Sequence, residues 1–326
     1  MITSATMLHH GYISTPDALV QVRELVGDPH SGPGGRAYAC TLAGGLAFEV
    51  LAERGLDFGA AWFRGQPVAW RSPLGTAGLG PTPADWLGRF GGGLVVTCGL
   101  DNIGSPQGRY GQHGSHHATR AYDVAITRTR DHGTPGIRIN GTVDSVEVFG
   151  RRIRVYREIT ARADDPAIHI SDTVVNEGAW EASAALLYHL NFGAPLVLPG
   201  TRILIRSATR ERWKEGDFGQ DPTTFPEPID RLDEAVWKYS NLEAVDGVAT
   251  AEVVSPEGMT ATVCWSAAEL PFLYEWVLPA RDSWALGIEP ANAPLWGFAR
   301  NEEHQGAPVL QAGERHRTEL TIRLSA

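Results

Sequence analysis

Basic side chains are scarce in this sequence of 326 residues. It contains two lysines, Lys214 and Lys238, and its 28 Lys and Arg residues stand against 38 Asp and Glu residues, for a net charge of −10. The basic residues form no run. Because proteins that bind nucleic acids neutralise phosphates with a positive patch, we expect no nucleic-acid partner.

Cysteines and long apolar stretches are also few. The three cysteines, Cys40, Cys98 and Cys264, are widely spaced and odd in number, which predicts buried thiols in a reducing compartment and argues against a disulfide framework or a zinc site. No stretch approaches the roughly 18 consecutive apolar residues of a membrane-spanning helix. The N-terminus lacks the basic and then apolar regions of a signal peptide. We therefore expect a soluble, cytoplasmic protein with no membrane partner.

Motifs for nucleotide and acyl chemistry are absent. The sequence has no phosphate-binding loop, and the run Gly91-Gly92-Gly93 is not followed by a predicted helix that would direct amides at a pyrophosphate. This run predicts a tight β connection or a close backbone approach. The Gly-x-Ser-x-Gly elbow of many hydrolases is missing as well.

Alternation of apolar and polar residues dominates what is present. Residues 136–148 and 153–159 alternate on either side of Phe149-Gly150-Arg151, which predicts an antiparallel hairpin. Further strands are predicted over residues 45–51, 60–63, 167–176, 182–190 and 315–324. Short helices are predicted over 84–90, begun by Thr82 or Pro83, and over 231–239. Long surface loops are predicted over 71–83 and 209–230. Many short strands and 58 Gly and Pro residues favour an all-β fold, which we predict as a single domain over residues 1–326.

Histidines and one glutamate are the candidates for chemistry. His113, His116 and His117 cluster beside glycines, where they are metal ligands, solvated loop residues, or catalytic or sugar-binding groups. His189 lies in a probable strand and is either a core histidine or a site residue. Glu289 ends an apolar run at Pro290, where it is either paired with an arginine or poised as a base. Five tryptophans could form flat walls for sugar rings or fill the core: Trp62, Trp70, Trp86, Trp276 and Trp296.

Several segments, taken in order, carry a resemblance to a known family. The matching segments are ERGLDFG (53–59), FGGGL (90–94), TCGL (97–100), GQHG (111–114), LLYHLNFGAPL (186–196) and LGIEPAN (286–292). From about residue 44 to residue 292 the chain resembles the aldose 1-epimerase (galactose mutarotase) superfamily, and more closely its DUF4432 branch. The resemblance implies a β-supersandwich, in agreement with the strand-rich pattern.

The resemblance also implies roles for individual residues. In mutarotation a base removes the proton of the anomeric hydroxyl and an acid protonates the ring oxygen, without a metal or a cofactor. Carried over, the base is Glu289 and the acid is His189, while His113 binds the sugar near its anomeric end. Further candidates for substrate contacts are Arg54, Asp101, Arg109, Asn191 and Trp276, and weaker candidates are Asp230 and Glu234, which follow a proline-rich segment. The branch usually has an arginine where this chain has Ser115.

The expected function is therefore interconversion of the anomers of a monosaccharide or sugar derivative. Two other classes stay open: an epimerase or lyase that abstracts a carbon-bound proton from a keto-sugar or sugar acid, and a non-catalytic carbohydrate-binding or sensor protein. The expected partner is a small sugar, no cofactor is expected, and a homodimer is one of the oligomeric states left open.

Overall fold

β-strands make up most of the computed structural model, which describes residues 2–27, 35–74, 85–214, 216, 218 and 221–326. The helical elements of these residues are α1 (Ser4–His9), α2 (Trp86–Arg89) and short 3-10 turns at Pro16–Ala18, His116–Ala118 and Ala299–Asn301. Within the described part of the chain, none of the helices has the length and apolar character needed to cross a membrane.

The larger sheet described has eleven strands, all paired antiparallel. In order across the sheet they are β1 (Val20–Val26), β2 (Arg36–Leu42), β3 (Leu46–Leu51), β4 (Asp57–Phe63), β6 (Val95–Leu100), β12 (Ala185–Phe192), β20 (Ser283–Ala291), β19 (Phe272–Ala280), β15 (Ala235–Leu242) and β14 (Ser207–Lys214), with β5 (Gln66–Pro67) paired to β4. Strands β12 and β20 are neighbours in the middle of this sheet.

The second sheet has nine antiparallel strands among the described residues. In order they are β13 (Arg202–Ile205), β17 (Val248–Val254), β18 (Thr260–Ser266), β22 (Arg315–Ser325), β10 (Asp165–Asn176), β9 (Arg152–Arg162), β8 (Thr134–Val146) and β7 (Tyr122–Asp131), with β16 (Ala244–Val245) paired to β17. A separate pair joins β11 (Ala182–Ser183) to β21 (Val309–Leu310).

The predicted hairpin is formed by β8 and β9, which confirms that interpretation of the alternating pattern. Ile137, Ile139 and Ile159 point inward and are fully buried, in one apolar cluster with Phe48 and Leu190 of the larger sheet. Each fully buried aliphatic side chain of this size contributes roughly 1.5–3 kcal/mol to folding. The two sheets therefore enclose a common core, and the predicted all-β class is confirmed.

Strands β12 and β20 are buried on both faces, so they do not alternate. All eight residues of β12 are buried. On its inner face Tyr188 donates a hydrogen bond to Asp172 of the second sheet (2.6 Å), while Leu187 on its outer face packs in a second apolar cluster with Trp86 and Phe90. A continuous apolar run is the pattern expected of a strand covered on both sides.

Of the predicted helices and loops, one helix and part of one loop are wrong. The helix predicted over 231–239 is wrong: strand β15 begins at Ala235 and pairs with β14 and β19, because tertiary pairing overrides a weak local preference. The loop predicted over 209–230 is wrong in its first part, which belongs to β14. The helix α2 falls within the predicted 84–90, with Asp85 as its N-cap, while Thr82, Pro83 and much of the predicted 71–83 loop lie outside the described residues.

Pro290 does not end its strand as the sequence suggested. Strand β20 continues to Ala291, and Pro290 pairs with Leu273 of β19. On the other side, the register pairs with β12 pass from Ile288 directly to Ala291, so the missing amide of the proline falls where the ladder is interrupted.

The glycine run matches its prediction, and so do two of the three cysteines, whereas Cys264 is only partly buried. A Cβ on Gly93, whose φ is +117°, would lie 2.3 Å from the carbonyl oxygen of Phe58, which confirms a close backbone approach. All three cysteines are free thiols, and Cys40 and Cys98 are buried.

Candidate active site

His189 and Glu289 meet on the outer face of the larger sheet. The flanking register pairs Leu187–Ala291 and Leu190–Ile288 bring the two residues opposite each other on β12 and β20. The Nε2 atom of His189 lies 3.2 Å from Oε1 of Glu289, and both side chains are buried. The two residues that the sequence singled out as an acid and base are therefore within hydrogen-bonding distance.

Three aromatic side chains surround the imidazole of His189. Its ring centroid lies 5.0 Å from Phe90, 5.4 Å from Trp276 and 6.1 Å from Trp86. Trp86 and Phe90 stack at 4.3 Å from one turn of helix α2, and that turn is capped by the carboxylate of Asp85, which accepts a hydrogen bond from the Gly88 amide (2.9 Å). The short helix thus covers the histidine with an apolar wall.

This enclosure disfavours charge on both members of the pair. Burial, followed by the neighbouring His113, holds the pKa of His189 well below its usual range. Burial, followed by the negative charge of Glu234, holds the pKa of Glu289 well above its usual range. Both shifts favour the uncharged arrangement, a carboxylic acid beside a neutral imidazole, over the ion pair.

His113 lies beside the pair in a tight loop. Its φ is +58° and Gly114 follows at +69°, so the loop turns sharply and presents the ring 5.8 Å from that of His189. The amide of Gly104 donates to Nδ1 of His113 (3.4 Å), and burial lowers the pKa of His113 to about 3. A neutral ring whose Nδ1 accepts a hydrogen bond carries its proton on Nε2, where it can donate to a ligand.

A cavity of about 310 Å³ opens over these residues, a volume at the lower end of the range for small-molecule sites. Its lining residues include His113, His189, Glu289, Trp86, Phe90, Trp213, Lys214, Glu234 and Trp276. At its rim Trp276 donates from Nε1 to Glu234 (2.6 Å), and Lys214 forms an ion pair with the same carboxylate. The cavity therefore combines flat apolar walls with a few fixed polar groups.

Of the other predicted contacts, Trp276 lines the cavity. Asp101 and Asn191 do not line it, but they make hydrogen bonds to segments that do. Asp101 accepts hydrogen bonds from the amide (3.0 Å) and hydroxyl (2.8 Å) of Ser115 and so holds the loop of His113. Asn191 donates to the carbonyl oxygens of His189 and Gly93, both at 2.9 Å. Both residues have structural partners and lie outside the lining of the cavity.

Two predicted contacts lie elsewhere. Arg109 is exposed and pairs with Glu147 at the mouth of a different depression. Arg54 lines a separate cavity together with His117. His116 and His117 are buried in the 3-10 turn rather than solvated. In the ranges that the structure describes, no three His, Cys, Asp or Glu side chains are grouped so that they could hold a metal ion.

Several lining residues were missed in the sequence. Phe90 was seen only as part of a motif, although its spacing of four from Trp86 on a predicted helix would have paired the two aromatic rings. Glu234, which lies just before β15 and lines the cavity, was only a weak candidate for a polar contact. Trp213 and Lys214 fell in a predicted loop, and nothing local marked them as part of a site.

The fold is that of galactose mutarotase-like proteins. Similar solved structures include a candidate aldose 1-epimerase from Klebsiella pneumoniae, with a TM-score of 0.82 and 20% identity over 94% of this chain and 83% of that chain. A galactose mutarotase-like protein from Clostridium acetobutylicum has a TM-score of 0.61 and 13% identity, and galactose 1-epimerase from Lactobacillus acidophilus has 0.57 and 12%; each match covers 94% of this chain and 99% of the other.

The chain belongs to the DUF4432 family, a domain of unknown function whose model matches residues 32–324. A search of curated proteins finds no match. The predictions of a β-supersandwich and of this family are therefore confirmed.

Proposed function

We propose that the protein is an isomerase of the aldose 1-epimerase type, which interconverts the anomers of an uncharged monosaccharide. The observation that carries the proposal is the 3.2 Å contact between Nε2 of His189 and Oε1 of Glu289 under a cavity with aromatic walls. An acid and a base side by side are what this reaction requires.

The reaction needs two proton transfers and one reversible bond cleavage. One member of the pair takes the proton of the anomeric hydroxyl while the other gives a proton to the ring oxygen, and the bond between C1 and the ring oxygen breaks. The open aldehyde rotates about its C1–C2 bond. When the ring closes again, both protons return to the groups that held them before. The reaction involves no net oxidation or reduction.

Either member of the pair can start the cycle. The resemblance to mutarotases gives Glu289 the role of base and His189 the role of acid. Burial favours the opposite resting arrangement, with the proton on Glu289. The two arrangements differ by the transfer of one proton over 3.2 Å, and in both of them one group can accept while the other donates.

The remaining lining residues fit an uncharged sugar ring. Trp86, Phe90 and Trp276 offer apolar faces on which the C–H side of a pyranose can pack. Nε2 of His113 offers a hydrogen-bond donor for a sugar oxygen. Among the described lining residues Lys214 is the one cationic side chain, and its charge is paired with Glu234, so nothing in the cavity favours a substrate with a carboxylate or a phosphate.

Saturation-transfer NMR on a panel of free monosaccharides in D₂O tests this proposal. Exchange between the two anomeric signals that is faster with protein than in buffer, without deuterium uptake at carbon, is the expected result. Deuterium incorporation at carbon would instead indicate epimerase or lyase chemistry. Binding with exchange no faster than in buffer would indicate a carbohydrate-binding protein.

A further inference from the structure

A second, smaller cavity lies behind the aromatic wall of the candidate active site. Its volume is about 30 Å³, and Arg54, Arg71, Arg89 and His117 line it. Among the described residues, Phe90 alone lines both this cavity and the larger one. The small cavity is therefore separate from the candidate active site, and the proposed reaction assigns no role to the arginines and the histidine that line it.

Two of its arginines lack an acidic partner. The guanidinium of Arg54 is half-buried and makes no hydrogen bond or ion pair with any described residue, and its burial, together with the nearby Arg89, lowers its pKa to about 10. Arg89 donates one hydrogen bond, from Nη2 to the carbonyl oxygen of Gly114 (2.8 Å), while its buried Nε has no partner among the described residues. Two neighbouring cations repel each other, and an anion between them would offset this repulsion.

His117 adds an unpartnered donor to the same wall. The side chain is 3% exposed, and within the described ranges both ring nitrogens are buried without a hydrogen-bond partner. A buried donor that is left unpaired destabilises the folded state. Besides burial, the groups that lower the pKa of His117 are Arg89, His113, Arg54 and His116, so the imidazole faces a cationic environment.

The carboxylates near this cavity are already engaged. Asp57 lines the wall, but it accepts hydrogen bonds from the amide (2.7 Å) and hydroxyl (2.5 Å) of Thr97 and from Arg157 (2.6 Å). Glu49 lies 3.8 Å from Arg71. Asp57 attracts Arg54, and Asp101 attracts Arg89. None of these acids forms an ion pair within 4 Å of Arg54 or Arg89 in the described structure, so neither arginine is neutralised by direct contact with a carboxylate.

We propose that this cavity binds a small monovalent anion, of the size of a halide or a single carboxylate group. Charge-assisted hydrogen bonds from two guanidinium groups and one from the His117 ring would satisfy the unpartnered donors together. The volume sets the size limit. One water occupies about 10–15 Å³ of such a cavity, so 30 Å³ accommodates one or two small groups and no phosphate ester.

Bromide soaks of crystals at millimolar concentration test the proposal directly. We expect an anomalous difference peak in contact with the guanidinium groups of Arg54 and Arg89 in the wild-type protein. The double variant Arg54→Gln/Arg89→Gln should lose this peak, and Arg23→Gln, which changes an exposed arginine of β1, should keep it. A wild-type cavity without a peak, or a peak of undiminished height in the double variant, would overturn the site.

A solution measurement keeps the proposal testable if the double variant does not crystallise. Sodium bromide and sodium formate, titrated at millimolar concentrations, should each give a saturable rise in the Tm of the wild-type protein and of Arg23→Gln, and none in the double variant. Equal shifts in all three proteins would overturn the site. In crystals, formate should displace bromide; bromide that persists in saturating formate would overturn the carboxylate part of the proposal.

Discussion

His189 and Glu289 lie opposite each other on adjacent antiparallel strands, with Nε2 and Oε1 3.2 Å apart. Their side chains share one face of the sheet because directly opposed residues of an antiparallel pair point the same way. The sheet continues on both sides of β12 and β20, so the backbone positions of the pair are fixed. Groups held on rigid strands are preorganised for proton transfer.

Removal of either member of the pair should abolish most of the activity. We expect His189→Ala and Glu289→Gln each to lower kcat for anomer exchange by about 10²–10⁴-fold, the usual contribution of a positioned acid or base. The kcat of the double variant should be only slightly lower than that of the less active single variant, because the two residues act as a unit. Polarimetry on a responding sugar measures these rates.

The exposed residues His10 and Glu257 supply matched controls. His10→Ala and Glu257→Gln make the same chemical changes at exposed positions outside the lining of the cavity and should retain the wild-type rate. Wild-type exchange by either His189→Ala or Glu289→Gln would contradict the proposed roles.

The pH dependence of kcat/KM should reflect a pair that holds one proton across neutral pH. Below the lowered pKa of His189 both groups are protonated and no base remains; above the raised pKa of Glu289 neither is protonated and no acid remains. The profile should therefore be broader than the interval between about pH 4.5 and 6.5 that an unperturbed glutamate and histidine would give, with the acid limb set by His189 and the alkaline limb set by Glu289. After subtraction of the buffer rate, a maximum confined between about pH 4.5 and 6.5 would show that the two pKa values are unperturbed.

The sequence predicted the strands of the site better than its walls. Strand β12 and Glu289 were identified from their own segments and from their order along the chain, as were the alternating strands β8 and β9. Phe90 and Glu234 depend on which segments dock over β12 and β20, and such long-range contacts leave no local pattern. Ala235, Val236 and Tyr239 match a helical spacing as well as a strand, and only pairing with β14 and β19 decides between them.

Gly287 should be required for the position of Glu289. A Cβ at this residue would lie 2.6 Å from Oε1 of Glu289 and 3.0 Å from Cβ of Trp276. We expect Gly287→Ala to displace the carboxylate and to lower kcat by about 10²-fold, the order of loss that a misplacement of 1 Å can cause. The control is Gly111→Ala, whose new methyl group would meet nothing closer than 3.9 Å. Unchanged kcat for Gly287→Ala would show that the site tolerates a shifted carboxylate.

Arg157 should hold the two sheets together behind the site. It is 1% exposed and pairs with Asp57 and Asp172, each at 2.6 Å, and Tyr188, next to His189, donates to Asp172. We expect Arg157→Met to lower the free energy of unfolding by about 3–5 kcal/mol, because two carboxylates remain buried without their cation. Urea denaturation measures this change.

The exposed Arg138, 3.1 Å from Glu158, gives the comparison for that substitution. Arg138→Met removes an ion pair that is open to solvent, so its effect should be about 0–1 kcal/mol. A similar small loss for Arg157→Met would mean that the buried carboxylates are accommodated by protonation or by water.

Glu234 should tune the alkaline limb of the pH profile. Its negative charge helps to raise the pKa of Glu289, while its carboxylate is held by Trp276 Nε1 (2.6 Å) and by Lys214. In Glu234→Gln the nearby negative charge is gone and the charge of Lys214 is left unbalanced, and both changes favour ionised Glu289. The alkaline limb should therefore move toward lower pH, while the acid limb set by His189 moves less. Glu257→Gln removes a remote charge and should move neither limb; an alkaline limb unmoved in Glu234→Gln would show that burial alone sets the pKa of Glu289.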